Sequence, residues 1–185
     1  MAFSASVKAQ QALRGSRAAY ARMERGHGWN TTIDAELRAF LEARDSCYLG
    51  TASADGQPYI QHRGGVPGFI RVVDDHTLAI PDYDGNRQYI TLGNLAENDR
   101  ALLFAMDYAD RRRVKVWGRA RVVEPPGAPH RTIELRVAAW DVNCPKHIPR
   151  KLDAAQVIAA IAKRDQRIAE LERDNRELRE RFATG

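Results

Sequence analysis

Residues 82–95 bring together the residue types that bind a phosphate group. We predict that a helix opens in this segment at three polar residues, Asn86, Arg87 and Gln88. The free backbone N–H groups and the positive dipole end of a helix start attract anions. The guanidinium of Arg87 adds a planar fork that matches phosphate. The alternative is an ordinary helix start at which Arg87 pairs with Asp82 or Asp84.

A second basic segment, residues 111–121, carries six bases and no acid. Because side chains alternate along a strand, its inner face is predicted to hold Val114, Val116, Gly118, Ala120 and Val122. Its outer face is predicted to hold Arg113, Lys115, Trp117, Arg119 and Arg121. This cationic face is a second candidate for anion binding, and Trp117 favours a covered surface over one left in water. The alternative is a solvated strand that its charges protect from aggregation.

The composition predicts one soluble domain with appended helices. The chain has 185 residues and a net charge of +5, which suits an anionic ligand without identifying it. Its two cysteines, Cys47 and Cys144, give no disulfide framework, and no apolar stretch is long enough to span a membrane. We therefore expect a cytoplasmic protein with no membrane partner. Nucleic acid is not an expected partner either, because the basic strand lacks interleaved aromatic residues.

The chain divides into three predicted zones: a helical segment over 1–44, a strand-rich domain over 45–150 and a charged helix over 151–185. In the first zone we predict one helix over 7–25 and another starting after Thr31 or Thr32. The middle zone is predicted to form strands over 47–53, 57–63, 69–73, 77–80, 100–106, 111–121 and 132–140, with one helix between the fourth and the fifth. Short antiparallel strands in this order predict a barrel with flanking helices, in the α+β class.

The C-terminal zone has a seven-residue apolar repeat, and from about Asp153 it lacks Gly and Pro until Gly185. The a positions are Ile161, Ile168, Asn175 and Phe182, and the d positions are Val157, Arg164, Leu171 and Leu178. The polar Asn175 among apolar residues is typical of two-stranded coiled coils in register. A helix folded onto its own barrel is the alternative.

Five motifs occur in a characteristic order: Asp-Gly-Gln-Pro-Tyr-Ile-Gln-His-Arg-Gly-Gly at 55–65, Asp-Gly-Asn-Arg-Gln-Tyr-Ile at 84–90, Gly-Asn-Leu-Ala-Glu-Asn-Asp-Arg at 93–100, Val-Trp-Gly-Arg-Ala at 116–120 and Trp-Asp-Val-Asn-Cys-Pro-Lys-His-Ile at 140–148. Through them the middle zone resembles the FMN-binding split barrel of the pyridoxamine 5'-phosphate oxidase family, in its small bacterial branch of predicted flavin-nucleotide-binding proteins. The resemblance covers about residues 38–150 and implies an antiparallel split β-barrel.

The resemblance also implies a flavin site. Contacts to the phosphate and ribityl chain of FMN fall on Gln61, His62, Arg63, Gly64, Asn86, Arg87 and Gln88. Gln88 stands where the family has a lysine, which removes one positive charge. Further cofactor contacts are expected from Arg113, Lys115, Trp117 and Trp140. In these barrels the flavin lies at a two-fold interface, so a homodimer is expected as well.

The expected function is that of an FMN-binding oxidoreductase acting on an unknown small molecule. Family members that oxidise vitamin B6 end in a segment bearing Arg and Trp, which this chain lacks, so that activity is not expected. No catalytic residues can be named. The alternative is a non-catalytic binder of flavin or of another anionic cofactor such as haem, for which His62, or Cys144 with His147, are candidate ligands. Cys144 and His147 supply only two zinc ligands, so no metal site is predicted.

Overall fold

The computed structural model describes residues 3–142 and 145–183, which form two compact units. Of the described residues, the first unit comprises 3–107, 112–142 and 145–147, and the second comprises 108–111 and 148–183. The helices are α1 (Ala5–Leu13), α2 (Arg17–Arg25), α3 (Ala35–Glu42), α4 (Ile90–Glu97) and α5 (Ala154–Ala183). The strands are β1 (Ser46–Ala52), β2 (Pro58–Gly64), β3 (Arg71–Asp74), β4 (Thr77–Asp82), β5 (Arg100–Asp107), β6 (Arg112–Val123) and β7 (Arg131–Val142). Among the described residues, no helix is both long and apolar enough to cross a membrane.

The seven strands form one antiparallel sheet in the order β2-β1-β5-β6-β7-β4-β3. All seven predicted strands are present, and α4 lies between β4 and β5 in the chain as predicted. The mainly β fold with flanking helices is therefore confirmed. In β1 the buried Cys47 is paired with Arg63 of β2, and burial raises the pKa of the Cys47 thiol to about 12.

The sheet curls so that strands far apart in its order come into contact. In a flat sheet, five strand spacings of about 4.8 Å would hold β2 roughly 24 Å from β4. Instead, Nη1 of Arg63 on β2 lies 2.5 Å from Oδ1 of Asp82 on β4. This contact closes a seam between the two ends of the sheet, as expected for a split barrel.

Side chains that alternate between the inner and the outer face of the strands fill the core with their inward members. On β6, Val114, Val116 and Ala120 are buried, while the charged residues between them are partly or fully exposed, as the sequence predicts. The predicted apolar residues of α3, Leu37, Phe40 and Leu41, are also buried. They join the strand residues in one continuous hydrophobic cluster.

The N-terminal helices differ from the prediction in two places. The single helix predicted over 7–25 is divided into α1 and α2, because Gly15 lies between them with a φ of 79° that a helix cannot accommodate. The next helix, α3, starts at Ala35 and not directly after Thr32. Its N-cap is Asp34, whose side chain accepts a 2.7 Å hydrogen bond from the N–H of Leu37.

The second unit contains α5, a helix of 30 residues that confirms the predicted C-terminal helix. Its start is stabilised by Asp153, whose carboxylate accepts a 3.0 Å hydrogen bond from the N–H of Gln156. Every described residue of α5 is exposed, including the apolar residues of the heptad repeat.

Candidate anion-binding cleft

A small cleft of about 40 Å³ forms beside the seam of the sheet. Its walls come from β2, the end of β4, the loop 83–89, the first turn of α4 and Arg131 of β7. Five of the predicted cofactor residues line it: Gln61, Arg63, Asn86, Arg87 and Gln88. Residues more than twenty positions apart in the sequence are thus brought to one place, as the resemblance implied.

A network of ion pairs forms the floor of the cleft. Asp82, which is 5% exposed, accepts from Nη1 of Arg63 at 2.5 Å and from Nε of Arg131 at 2.8 Å. Arg131 also donates to Asp84 at 2.8 Å. That hydrogen bond holds the pKa of Asp84 below its usual value. The network ties β2, β4 and β7 together at the seam.

The side chain of Gln61 connects β2 to the start of α4. Its Oε1 accepts hydrogen bonds from Nη2 of Arg63 at 2.8 Å and from the hydroxyl of Thr91 at 2.7 Å. One turn further along α4, Asn94 donates to the hydroxyl of Thr51 on β1 at 3.0 Å. These contacts fix the first turns of α4 against the sheet beside the cleft.

The helix does not open at Asn86, as the sequence analysis predicts, but at Ile90. Arg87 and Tyr89 have φ values of 59° and 54°, in the left-handed region that a right-handed helix cannot contain. Asn86 instead accepts a 3.2 Å hydrogen bond from the N–H of Gln88, which forms a local turn. The predicted site residues 86–88 therefore lie in a loop that leads into α4.

The side chain of Arg87 is exposed and makes no ion pair within the described part of the chain. The two carboxylates that the alternative interpretation assigned to it, Asp82 and Asp84, are bound by Arg63 and Arg131. With Arg87 included, three guanidinium groups face two carboxylates. The cleft therefore has one positive charge in excess, on the residue that no carboxylate binds.

Two buried side-chain nitrogens have no hydrogen-bond partner among the described residues, and both belong to predicted cofactor residues. They are the Nε atoms of Arg63 and Arg113. Buried polar atoms nearly always have a partner, so an orphaned donor marks a place where a ligand or water fits. Arg63 lines the cleft, whereas Arg113 lies on the outer side of β6.

Other predicted site residues lie away from the cleft. His62 and Gly64 alternate with Arg63 along β2 and are exposed, and the ring of His62 packs edge-on against Tyr48 with centroids 5.6 Å apart. Trp140 is buried, and its indole N–H donates to the carbonyl of Thr32 at 2.9 Å, so its contacts belong to the core. None of the three lines the cleft.

The outer face of β6 is cationic as predicted, yet neighbouring acids neutralise most of its charge. The ion pairs of this face are Lys115 with Asp141 at 3.6 Å, Arg119 with Asp99 at 2.6 Å and Arg121 with Glu134 at 2.7 Å, and Arg113 has none among the described residues. At the start of the strand, Arg112 pairs with Glu36 at 2.9 Å. Trp117 is covered in part by Trp29, with ring centroids 5.5 Å apart, and Lys115 lies 5.1 Å from its ring. The charged and aromatic side chains of this face thus mainly contact other residues of the same chain.

Two residues of the cleft, Arg131 and Thr91, are not predicted from the sequence. Arg131 binds Asp82 because β4 and β7 are paired in a register that sets these two residues opposite each other. Thr91 reaches Gln61 because α4 begins at Ile90. Both contacts depend on strand order and on the exact start of the helix, which local patterns do not reveal. Cys144, the candidate zinc or haem ligand, lies outside the described residues.

Residues 33–172 match the family model described as pyridoxamine 5'-phosphate oxidase. The chain belongs to this family. The match covers more than half of the chain and confirms the resemblance seen in its motifs. It includes every residue of the cleft. A search of curated proteins found no match to the chain.

Several solved structures are similar to this member of the family. A HupZ variant from Group A Streptococcus is 19% identical, with 60% of this chain and 99% of that chain covered and a TM-score of 0.48. An FMN-binding protein from Syntrophomonas wolfei is 11% identical, with coverage of 71% and 97% and a TM-score of 0.44. A FAD-binding protein from Mesorhizobium loti is 18% identical, with coverage of 60% and 94% and a TM-score of 0.44. These likenesses are too distant to assign a ligand.

Proposed function

We propose that the protein binds FMN, with the phosphate of the cofactor held by Arg87 in the cleft, and that it is an oxidoreductase acting on a small molecule. The observation that carries this proposal is the exposed guanidinium of Arg87, which no carboxylate binds, beside a floor of paired charges. A charge-assisted bidentate contact is the strongest interaction that a protein side chain offers a phosphate. Arg63, whose buried Nε has no hydrogen-bond partner among the described residues, also lines the cleft.

The size of the cleft fits the phosphate end of a cofactor and not the whole molecule. Sites for complete cofactors measure about 300–1,000 Å³, whereas this cleft measures about 40 Å³. The isoalloxazine ring must therefore extend beyond it. We expect a second subunit to cover the ring, as the family resemblance implies.

Four residues of the cleft would each have a role in holding such a cofactor. Arg87 binds the phosphate, Arg63 and Asp82 keep the seam closed beneath it, and Gln61 keeps the start of α4 in place. When bound, FMN supplies the hydride or electron transfer, and the protein supplies position and electrostatics. Vitamin B6 is not the proposed substrate, because membership of a family does not by itself transfer a substrate. The buried, unreactive thiol of Cys47 suits a reducing cytoplasm.

A visible spectrum of the purified protein tests the proposal, combined with release and identification of the bound ligand. Bound FMN would make the protein yellow, and a colourless protein that does not take up added FMN would refute FMN binding. A haem spectrum would favour the alternative cofactor.

The variant Arg87→Ala tests the position of the phosphate. Loss of the guanidinium removes a contact worth about 1.5–3 kcal/mol, which lowers the affinity for FMN roughly tenfold or more. Arg111→Ala is the matched control, because Arg111 is also exposed and has a φ of 52°. Both variants remove one positive charge from a left-handed position. Equal affinities in the two variants would place the phosphate elsewhere.

A non-catalytic flavin carrier is the second candidate, and the chemistry of the cleft favours it in one respect. A guanidinium offers several N–H donors and no acceptor, so Arg87 is suited to binding an anion and not to accepting a proton. Anaerobic addition of NADH or NADPH separates the two functions. Bleaching of the flavin within seconds to minutes supports an oxidoreductase, and a stable yellow protein supports a carrier.

A further inference from the structure

Helix α5 carries an apolar stripe that is exposed. The stripe consists of Val157, Ile161, Ile168, Leu171, Leu178 and Phe182, whose side chains are between 36% and 84% exposed. These residues occupy a and d positions of the heptad repeat. A helix with such a stripe is stabilised by burying it against another helix.

The charges beside the stripe are complementary to those of a second copy of α5. In a parallel pair in register, a residue at g faces the residue at e five positions later in the other helix. Arg167 of one copy then faces Glu172 of the other, and Asp174 faces Arg179. Two-fold symmetry repeats both contacts, so four attractive pairs form and no flanking pair is repulsive.

An antiparallel pair is less favourable at its flanks. If Ile168 of one copy packs on Leu171 of the other, Arg167 faces Asp174, which is attractive. However, Asp165 then faces Glu172, and like charges at this distance are destabilising. The flanking charges therefore favour the parallel arrangement.

The polar residues within the stripe are compatible with a parallel pair. Asn175 at an a position would meet Asn175 of the other copy, an arrangement that fixes register and favours two strands. Arg164 at a d position is 70% exposed and lies 3.6 Å from Asp165 of its own chain. The long side chain of Arg164 can point away from the interface between the two helices and keep its charge in water.

We propose that α5 binds α5 of a second copy of this chain as a parallel, in-register, two-stranded coiled coil. The contacts of Arg167 with Glu172 and of Asp174 with Arg179 set its orientation. This interaction is independent of flavin binding, because it uses residues that lie outside the cleft.

Disulfide trapping in the full-length protein tests the proposal. In a Cys144→Ser background, where the other cysteine is buried, Asn175→Cys places two thiols in the same layer of a parallel pair. The matched control is Glu177→Cys, whose c position points away from the partner. Facing thiols meet at an effective concentration on the order of millimolar, so we expect the Asn175→Cys dimer to form at least about tenfold faster than the control dimer.

Equal rates for the two variants would overturn the proposal. A mixture of Arg164→Cys and Asn175→Cys proteins tests the other orientation, because these positions share a layer only in the antiparallel pair. Preferential formation of that mixed dimer would also overturn the proposal. As a second measurement, Arg167→Glu should slow Asn175→Cys trapping by about threefold, the scale of an exposed ion pair, and adding Glu172→Arg should restore it. Retained helical circular dichroism shows that each variant is folded.

Discussion

The cleft and the outer face of β6 contain the same kind of residue and differ in what surrounds it. On β6, Arg112, Lys115, Arg119 and Arg121 each have an acidic partner within 3.6 Å. In the cleft, Arg63 and Arg131 bind the available carboxylates, which leaves Arg87 without one. The density of cations along the sequence is greater on β6, but most of them are paired there. Arg113 has no ion pair among the described residues and is partly buried, whereas the unpaired Arg87 of the cleft is exposed. An anion site is therefore better identified by an exposed basic side chain that has no acidic partner than by the number of basic residues.

The largest expected difference between the two regions is in stability. Arg63→Ala leaves Asp82 buried with one partner fewer, and breaking a buried ion pair costs about 3 kcal/mol. Arg121→Ala breaks a pair whose arginine is 76% exposed, and such a loss costs about 0.5 kcal/mol or less. Urea unfolding of both variants measures the difference in the free energy of unfolding. Equal losses would mean that the seam contact contributes no more than a surface pair.

A smaller effect is expected when the side chain at position 87 of the cleft changes its shape and keeps its charge. Arg87→Lys keeps the positive charge and loses the bidentate fork, so the affinity for FMN should fall about three- to tenfold. The matched change on β6 is Arg121→Lys, which should leave the affinity unchanged. Fluorescence titration with FMN measures both. An unchanged affinity in Arg87→Lys would show that only charge is needed at this position.

The pH dependence of stability should be similar in the two regions. Hydrogen bonds from Arg131 and Arg119 hold the pKa values of Asp84 and Asp99 below their usual values. A carboxyl group with a lowered folded pKa stabilises the protein above its unfolded pKa of about 4. That contribution is lost as the pH falls through the folded pKa.

The variants Asp84→Asn and Asp99→Asn measure these contributions. Each should be less stable than the parent protein at pH 7, and the difference should begin to shrink below a pH of about 4 and disappear as the pH falls through the lowered folded pKa. Denaturant unfolding between neutral and acidic pH follows both. A difference that persists at low pH would have to come from packing and not from ionisation.

The smallest effect is expected where the sequence has its highest density of charge. Lys115 is paired with Asp141 at 3.6 Å and lies over the ring of Trp117. Lys115→Ala should therefore change the affinity for FMN by less than about twofold, the scale of a screened surface charge. A larger loss, measured by the same titration, would show that the flavin extends to β6 and would favour the predicted roles of Lys115 and Trp117.

Much of the fold follows from local patterns in the sequence. Alternation along β6 and β7 identified their buried faces, and the apolar spacing in α3 identified its packing side. The motifs also led to Gln61, Arg63 and Arg87 as parts of one site. The predictions of buried faces succeeded because burial imposes a period on the sequence that is visible without knowledge of the fold. The assignment of these three residues to a cofactor site stays a prediction.

The remaining features depend on contacts that local patterns do not record. The predicted start of α4 was wrong because Arg87 and Tyr89 adopt left-handed conformations that are uncommon for such residues. Neutralisation of the β6 face depends on Asp99, Glu134 and Asp141, whose positions follow from strand pairing. The same pairing brings Arg131 to the cleft. Such long-range contacts require the order and register of the strands.

The position of Cys47 makes the rate at which the seam opens measurable. This thiol is buried on β1, paired in register with the residue that closes the seam. A thiol reagent can reach it only when that part of the barrel opens, so the rate of its modification reports the frequency of local opening. In a Cys144→Ser protein, a ligand that keeps the seam closed would slow the labelling of Cys47. The slower labelling would be detected even for a ligand that is colourless and unreactive.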